Sequence, residues 1–128
     1  MMEIRSRETV ILATDYASLV AWYCDALGFS VVQQFQEGFH YSNLESAAGV
    51  KLGIAPAKEM SVTPIDRGSN TVILQFQVDD VAAFFAHIKR TGGTITGGPS
   101  FDANGSFWFG SFTDPEGNPL WVVDKNCP

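Results

Sequence analysis

Residues 15–29 read DYASLVAWYCDALGF and residues 77–93 read QVDDVAAFFAHIKRTGG, and the correspondence between these two stretches decides the fold. In the first, Asp15 precedes Tyr16, Leu19, Val20, Tyr23 and Leu27 at helical spacing, and Gly28 stands where a left-handed residue would end the helix. In the second, Asp79 or Asp80 opens a stripe of Val81, Phe84, Phe85 and Ile88, with Gly92-Gly93 as the stop. A shift of 65 lays Asp15 on Asp80, Ala17 on Ala82, Leu19 on Phe84, Tyr23 on Ile88 and Gly28 on Gly93. Cap, apolar stripe and stop coincide, so the chain reads as an internal duplication.

The surrounding segments repeat as well. A strand-like run precedes each helix (residues 9–14 and 71–78), and three short β-rich segments follow each one. In the last two segments the shift becomes 68, pairing Phe39 with Phe107, Tyr41 with Phe109, Leu44 with Phe112, Gly49 with Gly117 and Leu52 with Leu120. An insertion of about three residues between helix and third strand explains the change, a length that a loop absorbs easily. The expectation is an α+β chain, residues 1–128 forming a single domain of two tandem βαβββ modules. Residues 6–56 and 70–124 make the modules, and residues 57–69 make a surface linker, the stretch 56–69 carrying two prolines, a glycine and several polar side chains.

Bulk composition excludes several partners. A chain of 128 residues, 45% hydrophobic, is long enough to bury a core without disulfides or metal. Eight Lys plus Arg against 14 Asp plus Glu give a net charge of −6, with no basic patch to neutralise a phosphate backbone, so nucleic acid is not an expected partner. The longest apolar runs, such as residues 71–76, fall far short of the roughly 20 residues of a membrane span, and residues 1–8 carry charges rather than a signal-like apolar run. A cytoplasmic protein without a membrane partner is expected. Cys24 and Cys127 have no metal-ligand spacing and read as ordinary thiols.

Strand parity separates two faces. Thr9, Ile11 and Ala13 match Leu74, Phe76 and Val78, while Leu52 and Ile54 match Leu120 and Val122; these sets should pack under the helices. The opposite face is mixed: Glu8, Val10 and Leu12 on the first strand, Ile73, Gln75 and Gln77 on its copy, then Lys51, Gly53 and Ala55 against Pro119, Trp121 and Val123. An uncovered face with apolar and polar groups together is where a small-molecule cup would form.

The βαβββ repeat, the two helical stretches and above all Asp114-Pro115-Glu116-Gly117-Asn118-Pro119 resemble the vicinal oxygen chelate superfamily, which includes glyoxalase I, extradiol dioxygenases, and fosfomycin- and bleomycin-resistance proteins. The DPEGNP segment also has a local reason, since Pro115 presets φ and Gly117 and Asn118 accept turn geometry. The resemblance implies a cupped, curved mixed sheet with helices outside, and often a homodimer. It further implies that metal-holding members take one ligand from the first and last strand of each repeat, positions that map to Glu8, Gly53, Ile73 and Trp121. Of these only Glu8 has a side chain able to bind metal, whereas a catalytic ion needs about three protein ligands. No cofactor is expected, and a divalent metal is the alternative.

An aromatic wall replaces the metal centre in this reading: Phe39, Tyr41, Phe101, Phe107, Trp108, Phe109 and Trp121. Parity sends Phe107 and Phe109 one way and Trp108 the other, leaving open which set meets a ligand. Gln75 and Gln77 could hydrogen-bond it and Glu8 could pair with a cationic group. His40, read as mid-strand, borders the cup, and His87 sits at the edge of the second helix's packing. Gly97-Gly98 before Pro99 reads as a strand exit. The expected function is binding of a small aromatic or cationic molecule without a family-type metal, in the manner of bleomycin-resistance-like members. The alternatives are a metal-dependent lyase, isomerase or dioxygenase of the glyoxalase type, and a regulatory module that has lost its ligand.

Overall fold

The computed structural model describes residues 2–128. Its contacts divide the chain at Pro64/Ile65 into two compact units, each with one four-stranded mixed sheet and one long helix. The first unit runs β1 (Thr9–Ala13), α1 (Tyr16–Leu27), β2 (Ser30–Phe35), β3 (Tyr41–Glu45) and β4 (Lys51–Pro56), in sheet order β1-β4-β3-β2. The second runs β5 (Leu74–Val78), α2 (Val81–Arg90), β6 (Thr94–Asp102), β7 (Phe107–Thr113) and β8 (Pro119–Asp124), in sheet order β5-β8-β7-β6. In both, first and last strands pair in parallel, since the helix carries the chain across the sheet, and the later strands pair antiparallel.

The pairing register reproduces the repeat residue by residue. Thr9 faces Leu52 as Leu74 faces Leu120, and Asn43 faces Gly53 as Ser111 faces Trp121. Asp15 and Asp80 cap their helices, accepting from Ser18 N and Ala83 N, which settles the second cap on Asp80. The stops differ by one register position. Gly28 takes the left-handed conformation after α1, whereas in the second copy Gly92 takes it, not Gly93. The Thr91 hydroxyl bonds the carbonyls of His87 and Ile88 and closes α2 early.

The length difference between the copies lies in β6 and its hairpin. Gln33 and Phe35 pair with Asn43 and Tyr41, but their counterparts Gly97 and Ser100 are spread by an extra residue and pair with Ser111 and Phe109. The second hairpin then runs on to the Asp102–Phe107 pair. Gly97 and Gly98 therefore lie inside β6 rather than at a strand exit. Their lack of side chains is what lets the bulge form: a Cβ on Gly98 would come 2.8 Å from the Phe109 carbonyl, and its φ of +86° disfavours any other residue.

Each helix covers one face of its own sheet. Leu19 and Tyr23 of α1 are buried with Leu44, Leu52 and Ile54; Phe85 and Ile88 of α2 are buried with Phe112, Leu120 and Val122. Phe112 takes both Phe84 and Phe85 edge-on, and Gly110 leaves the room that the Phe85 ring fills. The segment expected as a linker belongs partly to each unit. Ala57 is buried and bonds its N–H to the Ala13 carbonyl. Arg67 pairs with Glu116 at 2.8 Å and donates to Asn118 Oδ1 at 2.9 Å, while Asn118 and the backbone of Glu116 bond to the buried Asp114.

Candidate functional site

The faces turned away from the helices differ between the two units. In the second, strand pairing lines residues up in rows. Gln75, Trp121, Ser111 and Gly97 form one row; Gln77, Val123, Phe109 and Ser100 form the next; Phe107 and Asp102 follow. Over these rows lies a cavity of about 480 Å³, lined among others by Gln75, Trp121, Ser111, Phe109, Phe107 and Asp102. Its walls are mainly apolar, and Trp121 and Phe109 remain 50% and 40% exposed although they are large hydrophobic side chains. Exposed aromatic area gathered in a concavity with a few polar groups is the usual anatomy of a ligand site.

Gln75 and Trp121 thus share one cavity. Gln77 shares their face by register and lies outside the lining. Trp108 points to the other side of the sheet, against Phe101 at 5.2 Å between ring centroids, which leaves Phe107 and Phe109 as the set that meets the cavity. Ser111, Ser100, Asp102, Gly97 and Gly98 join the lining without having been singled out as ligand contacts. The register that put Trp121 on this face contains Ser111, its cross-strand neighbour, so that residue was within reach of parity alone.

In the first unit the equivalent face is occupied by a polar network. Glu8 accepts a short hydrogen bond from the Tyr41 hydroxyl and two from Asn43 Nδ2, at 2.9 and 3.0 Å. Gly53 makes this possible, because a Cβ there would fall on the Tyr41 hydroxyl and the Glu8 carboxylate. Burial, then the hydrogen bond to Glu8 and its negative charge, push the Tyr41 hydroxyl up to about 12, against a smaller opposing pull from Arg7. Asn43 was not foreseen: its contact with Glu8 spans 35 positions and leaves no mark in local sequence pattern. With Nδ2 committed to Glu8, the buried Asn43 Oδ1 has no partner among the described residues.

Phe39 and His40 precede β3 rather than lying within a strand. Phe39 stacks on Phe35 at 5.5 Å. His40 is held by Glu59 through both its backbone N–H, at 2.8 Å, and its Nδ1, at 2.6 Å, with its ring edge-on to Tyr16 of α1. These bonds hold the Glu59 carboxyl below the usual range. The mid-strand reading of His40 is corrected: it lies in the β2–β3 turn, bonded to Glu59. His87 is half-buried on α2, as its helical position implied.

The positions that would hold a family-type metal do not supply a ligand set. Glu8 is engaged by Tyr41 and Asn43, Gly53 has no donor and its side-chain space is filled, and Ile73 and Trp121 are apolar. Among the described residues no three His, Cys, Asp or Glu side chains gather as a cation site. A divalent ion does not fit these residues.

Comparisons with known proteins agree with this architecture. The profile described as glyoxalase/bleomycin resistance protein/dioxygenase superfamily matches residues 6–122. An uncharacterized protein of Mycolicibacterium smegmatis is 32% identical over 96 residues, 74% of each chain. Among solved structures, a superfamily member from Sphaerobacter thermophilus covers 98% of this chain and 100% of its own, with TM-score 0.76 and 17% identity. The fosfomycin resistance protein FosX of Listeria monocytogenes has TM-score 0.76 at 13% identity, covering 96% of this chain and 94% of its own. At such identities the structural likeness concerns the fold alone. No helix is long and apolar enough to cross a membrane among the described residues.

Proposed function

Because the chain belongs to the glyoxalase/bleomycin resistance protein/dioxygenase superfamily, we propose that it serves as a small-molecule-binding protein of that group, taking an aromatic or cationic ligand on the second module without a family-type metal. The observation that carries this is the 480 Å³ cavity with Trp121 and Phe109 half-exposed on its wall. A module that had lost its ligand would be expected to fill such a space, since uncovered aromatic area gains only when something packs on it. The metal-dependent reading lacks support in the donor set, because three of the four mapped positions carry no ligating side chain.

A flat ring would enter between Trp121 and Phe109, with Gln75 and Ser111 available for hydrogen bonds. The Gln75 amide has no side-chain partner among the described residues. Glu8 and Tyr41, also expected to contact the ligand, would act in the first module as a closed pair rather than as cavity wall. A homodimer belongs to the same proposal: edge strand β2 exposes Val31 and Val32, apolar area that a second copy would cover, and light scattering reads the mass directly.

The test is titration with Nile red, a neutral planar dye whose emission reports an apolar site. Saturable binding is expected, weakened about 30-fold in Trp121→Ala, corresponding to loss of roughly 2 kcal/mol of aromatic contact, and indifferent to chelators. Unchanged affinity in Trp121→Ala would sink the reading. So would a full equivalent of divalent metal on the purified protein that disappears in Glu8→Ala.

A further inference from the structure

The three rows under the cavity differ in chemistry along the direction of β7. The first offers neutral hydrogen-bonding groups: the Gln75 amide, and the Ser111 hydroxyl, which accepts from Thr96 at 2.8 Å and retains a proton to give. The second is apolar on β7 and β8, with Phe109 beside Val123. The third ends in Asp102 beside Phe107. Side chains two residues apart on one strand are about 7 Å apart, so the neutral row and the acidic row are separated by roughly 13 Å.

Asp102 has a local duty. Its Oδ1 accepts from Asn104 N at 3.0 Å, and its carbonyl accepts from Ser106 N at 2.7 Å, which closes the β6–β7 hairpin. That duty uses a single side-chain oxygen, and an asparagine would perform it equally. Oδ2 has no hydrogen-bond or ionic partner among the described residues, and Asp102 belongs to the cavity lining. Among the described residues no Lys, Arg or His lines the cavity. The nearest other carboxylate in sequence to the lining, Asp124, spends both oxygens on the N–H groups of Trp108 and Asn126. A carboxylate at the edge of a mainly apolar concavity, without a cation to answer it, favours a ligand that brings one.

Resting on the binding function given above, we propose that Asp102 makes the cavity selective for an elongated, flat cation. The positive charge sits at Asp102, the aromatic body crosses Phe109 and Trp121, and a neutral hydrogen-bonding end reaches Gln75 and Ser111.

Three probes of one shape test this at mildly alkaline pH: the cation N-methyl-4-styrylpyridinium, the neutral 4-styrylpyridine and the anion stilbene-4-carboxylate, each titrated by quenching of tryptophan emission. The cation is expected to bind about ten-fold more tightly than the neutral ring and the anion most weakly. In Asp102→Asn, which keeps the hairpin bond to Asn104, the cation should fall to the affinity of the neutral ring, whose own binding stays unchanged and so reports an intact cavity. Raising salt to about 0.5 M should weaken the cation alone. A cation-to-neutral ratio that survives Asp102→Asn overturns the proposal, as does an anion that binds best. If the neutral ring binds and charge makes no difference, the charge assignment fails while the cavity stands. If none of the three binds, both fall.

Discussion

Substituting Gly53 by alanine tests the closed network of the first module at its tightest point. A Cβ at residue 53 would occupy the space of the Tyr41 hydroxyl and the Glu8 carboxylate, so both must move and their hydrogen bond must open. The Tyr41 hydroxyl titrates near 12 because it is partly buried and donates to Glu8. Once released, it should return toward the ordinary tyrosine value of about 10. A two-unit change corresponds to about 2.7 kcal/mol between protonation states. Much of Tyr41 remains near water, so screening reduces the stability at stake to about 1 kcal/mol. The sign follows from the raised value in the folded state: the contribution is fully present below about pH 10 and is lost between pH 10 and 12. Ultraviolet titration of phenolate absorbance, taken as the difference from Tyr41→Phe, separates Tyr41 from Tyr16 and Tyr23. Urea unfolding at neutral pH should show a loss of about 1–2 kcal/mol in Gly53→Ala, the worth of a hydrogen bond to a charged group with some relaxation. A Tyr41 that still titrates near 12 in Gly53→Ala, with stability unchanged, would refute the packing of this network.

Arg67→Ala removes the ion pair to Glu116 and the bond to Asn118 Oδ1 in a nearly dry setting, both sides of the pair being only 12–13% exposed, and should cost about 2–3 kcal/mol in urea unfolding, far more than a surface pair. Gly110→Ala drives a Cβ to 2.5 Å from the Phe85 ring and 2.9 Å from the Gly97 carbonyl, so overpacking should lower stability by about 1–3 kcal/mol and shift Phe85 resonances in NMR spectra. Asp80→Ala removes the acceptor for Ala83 N and should cost about 1 kcal/mol of thermal stability, with Asp80→Asn nearly neutral. His40→Ala removes the ring contact but keeps the backbone N–H, the larger cause of the lowered Glu59 carboxyl, so that carboxyl should rise only part of the way toward its ordinary value in an NMR pH titration, with little change in global stability because the pair lies at the surface.

The fold was legible because its evidence is periodic. Helical stripes, capping aspartates and strand parity repeat at fixed intervals, and the pairing of Asn43 with Gly53 and of Ser111 with Trp121 carries the same intervals into three dimensions. Trp121 and Gln75 were legible for the same reason, since parity alone puts them on one face. What escaped were contacts that close between distant positions. Asn43 meets Glu8, and Arg67 meets the DPEGNP turn, through side chains whose pairing no spacing encodes. Local conformation also hid function. Gly97-Gly98 has the composition of a strand end, yet the absent side chains serve a bulge inside β6 that shapes the cavity rim. His40 reads as mid-strand, whereas the turn after β2 runs through both Phe39 and His40 and β3 starts at Tyr41.

Gly53 and Trp121 occupy the same register position of the two modules, one bare and one carrying the largest side chain available. The chain therefore contains its own reference compound. Any property attributed to the tryptophan side, whether dye capture, preference for charge or protection of amide hydrogens, can be measured against a sister surface that shares the molecule, the solvent and the sample. Exchanging residues between the two coordinates turns the duplication into an internal graft. If Gly53→Trp combined with Tyr41→Phe and Glu8→Ile creates a second place for a ring, then binding resides in the identities at these few positions and the backbone is only their frame.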